Sequence, residues 1–316
     1  MNRLSDQTFS FPKRKSLIKK KRKGNFSDML SYANGEYVST EKLAIPIASD
    51  IVGTIRGYRI FTACRTVRNK VFHLDDHIDR LFNSAGAIYM DLPHTKNELR
   101  EIVEETVAQN RQNQDGDLLL EIIYSGGEVA DNGVAPIGTA DLYIAVFPLK
   151  PPPDKLYQEG IKLASYPYQR QWPEVKLLNY VGAVIAHQTV VKKFGADQAL
   201  FITPDEKQIV LEGTTFNFFV VRGSTVITHP LDGRILSGIT RKVLLQLIKQ
   251  RSDADIKEDY FSYDDLKTVD EAFIASSTRN VAPVAKVDDI VIGDGKPGAV
   301  TQKLGEAFKK YLENYN

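Results

Sequence analysis

Several residue types that would point to a particular class of protein are scarce in this 316-residue chain. There is one cysteine, Cys64, so no disulfide can form within the chain and a reducing compartment is expected. No apolar run approaches the length of a membrane span, and the net charge of +1 favours no class of partner. The sequence therefore predicts a soluble, cytoplasmic protein.

The chain also lacks an internal repeat and the glycine-rich fingerprint of a dinucleotide-binding domain. Strand-like and helix-like segments do not alternate regularly, which argues against a Rossmann domain. Its length is sufficient for one large domain or two medium ones. The mixture of segments predicts a mixed α/β (α+β) protein.

Positive charge is concentrated at the amino terminus, where residues 1–24 contain nine Lys or Arg residues and one acid. The segment has no apolar face to bury and no apolar stretch typical of a signal peptide. We expect residues 1–28 to form a basic, disordered tail. A nucleic-acid-binding arm is a less favoured interpretation, because basic tails are common.

Prolines mark the clearest interruption of the chain, with four of them between positions 148 and 153. Proline is excluded from helix interiors and central strands, so we interpret 148–155 as an interdomain linker. It would join a small α/β domain at 29–147 to a larger domain at 156–316. Apolar spacing and end signals predict helices near 75–85, 99–107, 181–194, 240–250 and 300–311, and strands at 118–124, 141–147, 198–202, 209–211, 217–221 and 271–275. Asp75 and Asp76 are expected to cap the first of these helices.

Two residues with catalytic potential flank apolar segments. Lys176 lies between apolar neighbours, where loss of solvent would lower the pKa of its amine and make it nucleophilic. A lysine whose amine reaches the surface is the commoner case. Glu212 follows an apolar strand and could keep a ring nitrogen protonated, or could be an ordinary residue at a strand end.

An anion site is predicted where residues 236–241 enter a helix, because helix amino termini expose free amides. Thr240 would also serve as an ordinary N-cap. A hydroxyl-rich turn at 276–278 and the cation Arg80 on the first helix complete the set. A lysine, a strand-end carboxylate, a helix amino terminus and a hydroxyl turn are the parts of a pyridoxal-phosphate site.

Taken together, five segments resemble the fold-type IV (class IV) pyridoxal-phosphate enzymes. That family includes branched-chain aminotransferase, D-amino-acid aminotransferase and aminodeoxychorismate lyase. The segments are 71–81, 176–180, 212–217, 236–241 and 276–278. The resemblance extends from about Tyr32 to Leu312 and implies a two-domain fold, pyridoxal 5'-phosphate as cofactor and an active site at the domain boundary of a homodimer.

The resemblance also implies residue roles. Lys176 would form the Schiff base and move protons, Glu212 would contact the pyridine nitrogen, and Arg80 would bind the phosphate. Tyr180 would contact the cofactor hydroxyl, although its spacing from the lysine is one residue shorter than in branched-chain enzymes. The remaining implied cofactor contacts are Leu236 on the ring face and Ile239, Thr240, Ser277 and Thr278 at the phosphate.

The implied activity is ping-pong transamination between an amino acid and a 2-oxo acid, without a metal ion. A lyase of the aminodeoxychorismate type is an alternative. A binding protein that kept the fold and lost turnover is a further one, although the intact pair of Lys176 and Glu212 argues against it.

Substrate choice stays open at the sequence level. The strand at 118–124 and the residues after it lack the Tyr-x-Arg pattern of branched-chain enzymes and the Arg-x-His pattern of D-amino-acid enzymes. Arg56, in an Arg-Gly-Tyr triplet, resembles the carboxylate-binding arginine of a less usual subgroup of D-amino-acid transaminases, with Arg59 and Arg65 as alternatives. Phe61 replaces a pocket tyrosine of many relatives, which predicts a less polar pocket.

Overall fold

The computed structural model describes residues 28–111, 116–250 and 254–315, so the predicted basic tail lies outside the described residues except for its last position. The strands are β1 (Leu30–Ala33), β2 (Glu36–Ser39), β3 (Arg59–Val67), β4 (Lys70–Val71), β5 (Leu118–Ser125), β6 (Asp141–Pro148), β7 (Ile161–Pro167), β8 (Gln198–Ile202), β9 (Val210–Gly213), β10 (Asn217–Arg222), β11 (Thr225–Thr228), β12 (Asp255–Glu258), β13 (Glu271–Ser276), β14 (Asn280–Val287) and β15 (Ile290–Val291). The helices are α1 (Ile51–Thr54), α2 (Leu74–Ala87), α3 (Lys96–Asn110), α4 (Asp154–Glu159), α5 (Val181–Phe194), α6 (Ile239–Lys249) and α7 (Ala299–Glu313). Across the three described ranges, no helix has the length and apolar character needed to cross a membrane.

The first sheet has six strands in the order β2-β1-β6-β5-β3-β4, and every neighbouring pair is antiparallel. Strand β5 alternates, so Leu118, Leu120 and Ile122 enter a core shared with α2 and α3. The intervening side chains of β5 face the opposite side of the sheet. That opposite face is therefore available to line a cavity.

The second sheet contains nine strands, six of which close into a barrel. Strands β10, β13, β14, β7, β8 and β9 follow one another around the barrel, and β9 closes it by pairing with β10 at Glu212 and Asn217. Apolar side chains such as Leu200, Phe218 and Ile274 fill the interior, as expected for a small barrel. Helix α5 packs against β7 and β8, while α6 and α7 pack against the side formed by β13 and β14.

The positions of the predicted helices are confirmed, and the predicted amino-terminal cap of α2 is corrected. Helix α5 ends at Gly195, which adopts a φ of 63°, a conformation that favours glycine. Asp75 and Asp76 do not cap α2, because the N-cap is His73, and the two acids lie within the first turn. Carboxylates are favourable there beside the free amides of the helix, and Asp76 also accepts a hydrogen bond from the His73 ring at 2.8 Å.

The proline-rich segment separates the two sheets along the chain. Strand β6 ends at Pro148, and helix α4 begins at Asp154 with Pro153 as its N-cap. Aromatic packing nevertheless crosses this division, since the rings of Phe72 and Phe308 lie 6.1 Å apart. Division into domains at 29–147 and 156–316 therefore remains our proposal.

A buried ion pair fixes the end of the first sheet that carries β3 and β5. Asp50 is fully buried and accepts hydrogen bonds from Arg59, Ser125 and the Gly127 amide. Burial alone would raise the pKa of Asp50, but these hydrogen bonds and one from Thr54 together lower it. The carboxylate thus ties α1 to the ends of both strands.

We expect Asp50→Asn to lower the free energy of unfolding by about 3 kcal/mol, because it leaves Arg59 without its buried partner. Folding lowers the pKa of Asp50, so the stabilisation is present above the ordinary pKa of aspartate and is lost as the pH falls through the lowered value.

Urea unfolding at neutral and acidic pH measures both effects. Asp79→Asn is the control, because Asp79 pairs with Lys96 at an exposed site worth less than about 1 kcal/mol. Equal losses in the two variants would contradict this account.

Candidate active site

A cavity of about 610 Å³ opens between the free face of the first sheet and one end of the barrel. Its volume is in the range expected for a cofactor with a small substrate. The cavity brings together ten of the thirteen residues that the sequence predicted for the site: Phe61, Arg80, Lys176, Tyr180, Glu212, Leu236, Ile239, Thr240, Ser277 and Thr278.

Lys176 is held by an added strand-like segment. The Phe61 amide donates to the Lys176 carbonyl at 3.0 Å, and the Leu178 amide donates to the Arg59 carbonyl at 2.9 Å. Strand β5 pairs with one edge of β3. These bonds place the segment along the other edge of β3, near Arg59. The Lys176 amide also donates to the Ser84 hydroxyl on α2 at 3.1 Å. The lysine backbone is therefore anchored to both a strand and a helix of the first sheet.

The Lys176 amine lies in an apolar and cationic environment. It donates a hydrogen bond to the Tyr180 hydroxyl at 2.7 Å and lies 4.6 Å from the centre of the Phe61 ring. Desolvation, with smaller contributions from the positive charges of Arg80 and Arg170, lowers the pKa of Lys176 to about 7. A substantial neutral fraction at neutral pH makes this amine a nucleophile and a base.

Glu212 lies at the seam where the barrel closes, and only 5% of the residue is exposed. One carboxylate oxygen accepts from Arg170 Nε at 3.0 Å, and the other accepts from the Leu236 amide at 3.2 Å. Burial raises the pKa of Glu212, while Arg170, the Leu236 amide and Lys176 oppose that rise. The carboxylate is thus held in one orientation at the cavity wall.

The other end of the cavity is built to receive an anion. Helix α6 begins after the N-cap Gly238, whose lack of a side chain leaves the first amides, including those of Ile239 and Thr240, uncapped. Thr240 lies inside the helix, which corrects its interpretation as an N-cap. A Cβ atom on Gly238 would lie 2.0 Å from the Asn217 amide oxygen, so the close approach requires glycine.

Arg80 supplies a cation at the same end. Its Nη2 donates to the Thr62 hydroxyl at 2.6 Å and its Nη1 to the Ser237 carbonyl at 3.4 Å. Its Nε is buried and has no hydrogen-bond partner among the described residues. Burial lowers the pKa of Arg80 to about 10, so the guanidinium stays charged at neutral pH. An orphaned cationic donor beside a helix amino terminus favours a phosphate or a similar anion.

Three charged cavity residues were not predicted from the sequence. They are Arg170, Glu121 and Arg279. No motif surrounds Arg170 or Glu121, and their roles depend on which sheet face or turn they reach. Arg279 directly follows the hydroxyl turn at 276–278, so extension of that motif by one residue would have found it.

None of the three arginines predicted to hold the substrate carboxylate lines this cavity. The exposed Arg56 donates to the Gly133 carbonyl at 3.1 Å. Arg59 pairs with Asp50, and Arg65 donates to Asn280 at 3.2 Å. A contact between Arg56 and the substrate would require the cavity of a second copy of the chain.

We expect the Lys176 amine of the cofactor-free protein to become reactive with a midpoint near pH 7. Competitive acetylation across a pH series, followed by mass spectrometry of the Lys176 peptide, measures the midpoint. Arg170→Met should raise it, because the variant removes one of the cations that disfavour the charged amine. Arg222→Met is the control, since Arg222 pairs with Asp265 at an exposed site. A wild-type midpoint near that of ordinary lysine would show that the amine is solvated.

Known proteins are similar to this chain in sequence and in fold. The family described as amino-transferase class IV matches residues 59–287. A D-alanine aminotransferase from Staphylococcus haemolyticus is 31% identical over 292 residues, which cover 90% of this chain and 98% of that protein.

Two solved structures are similar in fold. The branched-chain aminotransferase from Thermoproteus uzoniensis with norvaline has a TM-score of 0.79 and 26% identity, over 90% of this chain and 94% of that chain. The T.th. branched-chain amino acid aminotransferase complexed with N-(5'-phosphopyridoxyl)-L-glutamate has a TM-score of 0.79 and 25% identity, over 92% and 95%. These similarities confirm the fold expected for fold-type IV enzymes. The chain therefore belongs to the class IV aminotransferase family.

Proposed function

We propose that this aminotransferase holds pyridoxal 5'-phosphate in the cavity and moves an amino group between an amino acid and a 2-oxo acid. The observation that carries the proposal is the convergence of the Lys176 amine and the Glu212 carboxylate on one cavity that ends at an anion site. The family, and a similar structure in complex with a phosphopyridoxyl amino acid, support the choice of cofactor.

The residues present fit this cofactor. The unpartnered Nε of Arg80 and the uncapped amides of α6 suit its phosphate, with the Ser277 and Thr278 hydroxyl turn beside them. Leu236 would pack on the ring, and the Tyr180 hydroxyl, already hydrogen bonded to Lys176, would contact the ring substituents.

When bound, the cofactor supplies an electron-withdrawing ring that stabilises negative charge at the α-carbon of the amino acid. The neutral amine of Lys176 would hold the cofactor covalently, and its Nζ atom is the base that would carry the α-proton of the amino acid. Glu212 would hold the ring nitrogen in its protonated form, because its carboxylate is a hydrogen-bond acceptor and only 5% of the residue is exposed. Arg170 holds that carboxylate in position at 3.0 Å.

Arg279 is the best candidate in this chain for the α-carboxylate of the substrate. Among the cations of the cavity, Arg170 pairs with Glu212, while Arg80 lies at the anion site and Lys176 contacts Tyr180. Arg279 donates to the Thr215 hydroxyl at 3.3 Å and makes no ion pair with any described acid. Its guanidinium is therefore available to a carboxylate.

We also propose a cytoplasmic homodimer. Helix α5 exposes apolar side chains at Val181, Val184 and Ile185, with 63%, 55% and 53% of each residue accessible, and such a patch is typical of an interface. The sequence predicted Arg56 as a ligand of the substrate carboxylate, and a second copy would have to supply it, because Arg56 does not line the cavity of its own chain. The single Cys64 is compatible with a reducing compartment.

An absorbance spectrum of the purified protein with pyridoxal phosphate tests the proposed function. Wild-type protein should show a band near the edge of the visible range, which a suitable amino acid alone should move to the near ultraviolet. Lys176→Ala should not make this conversion at a comparable rate. Glu212→Gln should convert about 100-fold more slowly, because a neutral amide holds the ring proton poorly.

Glu174→Gln is the matched control, since Glu174 is exposed and two residues from Lys176. Its conversion rate should equal that of the wild type. Absence of the band in wild-type protein would refute Lys176 as the attachment site. A band that no amino acid moves would favour a lyase or a protein without turnover.

Arg80→Met should weaken binding of pyridoxal phosphate by more than about tenfold, because a hydrogen bond to a charged group is lost. Binding of pyridoxal, which has no phosphate, should change little. Equilibrium dialysis of both ligands measures the difference. Lys242→Met is the control, since Lys242 is a cation near the start of α6, the helix of the anion site, and is half-exposed in a pair with Asp76. A similar loss for both ligands in Arg80→Met would place Arg80 outside the phosphate site.

A further inference from the structure

Glu121 is the acidic residue of the cavity that the proposed mechanism does not use. It lies on β5, lines the cavity and is half-buried. Among the described residues it has no hydrogen-bond or ion-pair partner. The positive charge of the Lys176 amine favours its ionised form. Burying a carboxylate without a hydrogen-bond or ion-pair partner is energetically unfavourable. A functional role for Glu121 is therefore expected.

Strand register directs Glu121 into the cavity. Its neighbours on β5, Leu120 and Ile122, are fully buried in the core on the other face of the sheet. Glu121 pairs with Ala63 on β3 and with Ala145 on β6. Each flanking side chain is a single methyl group, so the carboxylate stands between two small residues and is open to the cavity.

The wall around Glu121 is otherwise apolar. Phe61, Ile123 and Phe147 line the cavity from the same three strands, while the cations Arg80, Arg170 and Arg279 come from other segments. Burial raises the pKa of Glu121 to about 7, and the Lys176 amine opposes this rise. The carboxyl is therefore mostly ionised in mildly alkaline solution.

We propose that Glu121 selects the substrate by its side chain, excluding acidic side chains and favouring cationic or hydrogen-bond-donating ones. The inference rests on the proposed function, because it requires the substrate to occupy this cavity. A side-chain carboxylate placed against the wall would face Glu121 across a poorly solvated space without a counter-charge. A terminal ammonium or hydroxyl group would instead provide the hydrogen bond that Glu121 lacks.

Three unreactive acids of matched length test the proposal without turnover. Pentanoate, glutarate and 5-aminopentanoate share one carboxylate and differ at the far end, which is apolar, anionic or cationic. Their dissociation constants are measured by calorimetry at about pH 8.5, where Glu121 is ionised, with protein loaded with pyridoxamine phosphate, which has no aldehyde that could condense with an amine. The variants are Glu121→Gln, which has the same shape, and the control Glu101→Gln, whose residue is exposed on α3.

We expect the wild type and Glu101→Gln to bind 5-aminopentanoate more than about tenfold more tightly than glutarate. In Glu121→Gln this ratio should fall to within about threefold, since the charge is removed and the shape retained. Arg279→Met should weaken all three ligands by a similar factor, because they share the carboxylate that Arg279 binds.

A wild type that binds glutarate as tightly as 5-aminopentanoate would overturn the inference, as would an unchanged ratio in Glu121→Gln. The proposed function would survive either result if the amino-acid-dependent change in absorbance is normal. If wild-type protein shows no cofactor band, the proposed function fails and the inference fails with it.

Discussion

Burial of the Glu212 carboxylate is the constraint on which the rest of the site depends. A carboxylate at the seam of a closed barrel is tolerated only when donors replace the water that it has lost. Arg170 and the Leu236 amide provide those donors at 3.0 and 3.2 Å. For Arg170 to reach Glu212, the segment after β7 must cross the end of the barrel. That path brings Lys176, six residues later, to the free edge of β3.

Charge is distributed through the cavity so that each end favours a different group. Desolvation, together with the cations Arg80 and Arg170, lowers the pKa of Lys176, which leaves a nucleophilic amine at neutral pH. Arg80 and the amino terminus of α6 form the anion end. Glu121 lies on the apolar wall formed by the first sheet, and its negative charge is opposite to the charge of these groups. The separation matters because opposite charges placed together would neutralise one another and leave nothing to orient a ligand.

Local sequence patterns predicted much of the molecule. Apolar periodicity and Gly195 defined α5, and apolar runs located β5, β8, β10 and β13 to within one residue at each end, because these signals act over a few residues. The prediction that Asp75 and Asp76 cap α2 was wrong. Acids are favoured both at the N-cap and in the first turn, and these positions are only a few residues apart in the sequence. Tyr180 contacts Lys176 despite its shortened spacing, because it is the N-cap of α5 and its side chain reaches back to the amine.

The sequence by itself determined the element types, the family and the residues of the five shared segments, because each depends on order along the chain. Only the tertiary structure decided which remaining charges reach the cavity. Arg56, Arg59 and Arg65 are near Phe61 in sequence, but hydrogen bonds outside the cavity engage all three. Arg170 and Glu121 enter the cavity because a crossing segment and the register of β5 direct them there. Register and closure are set by contacts between distant segments, and no local pattern encodes them.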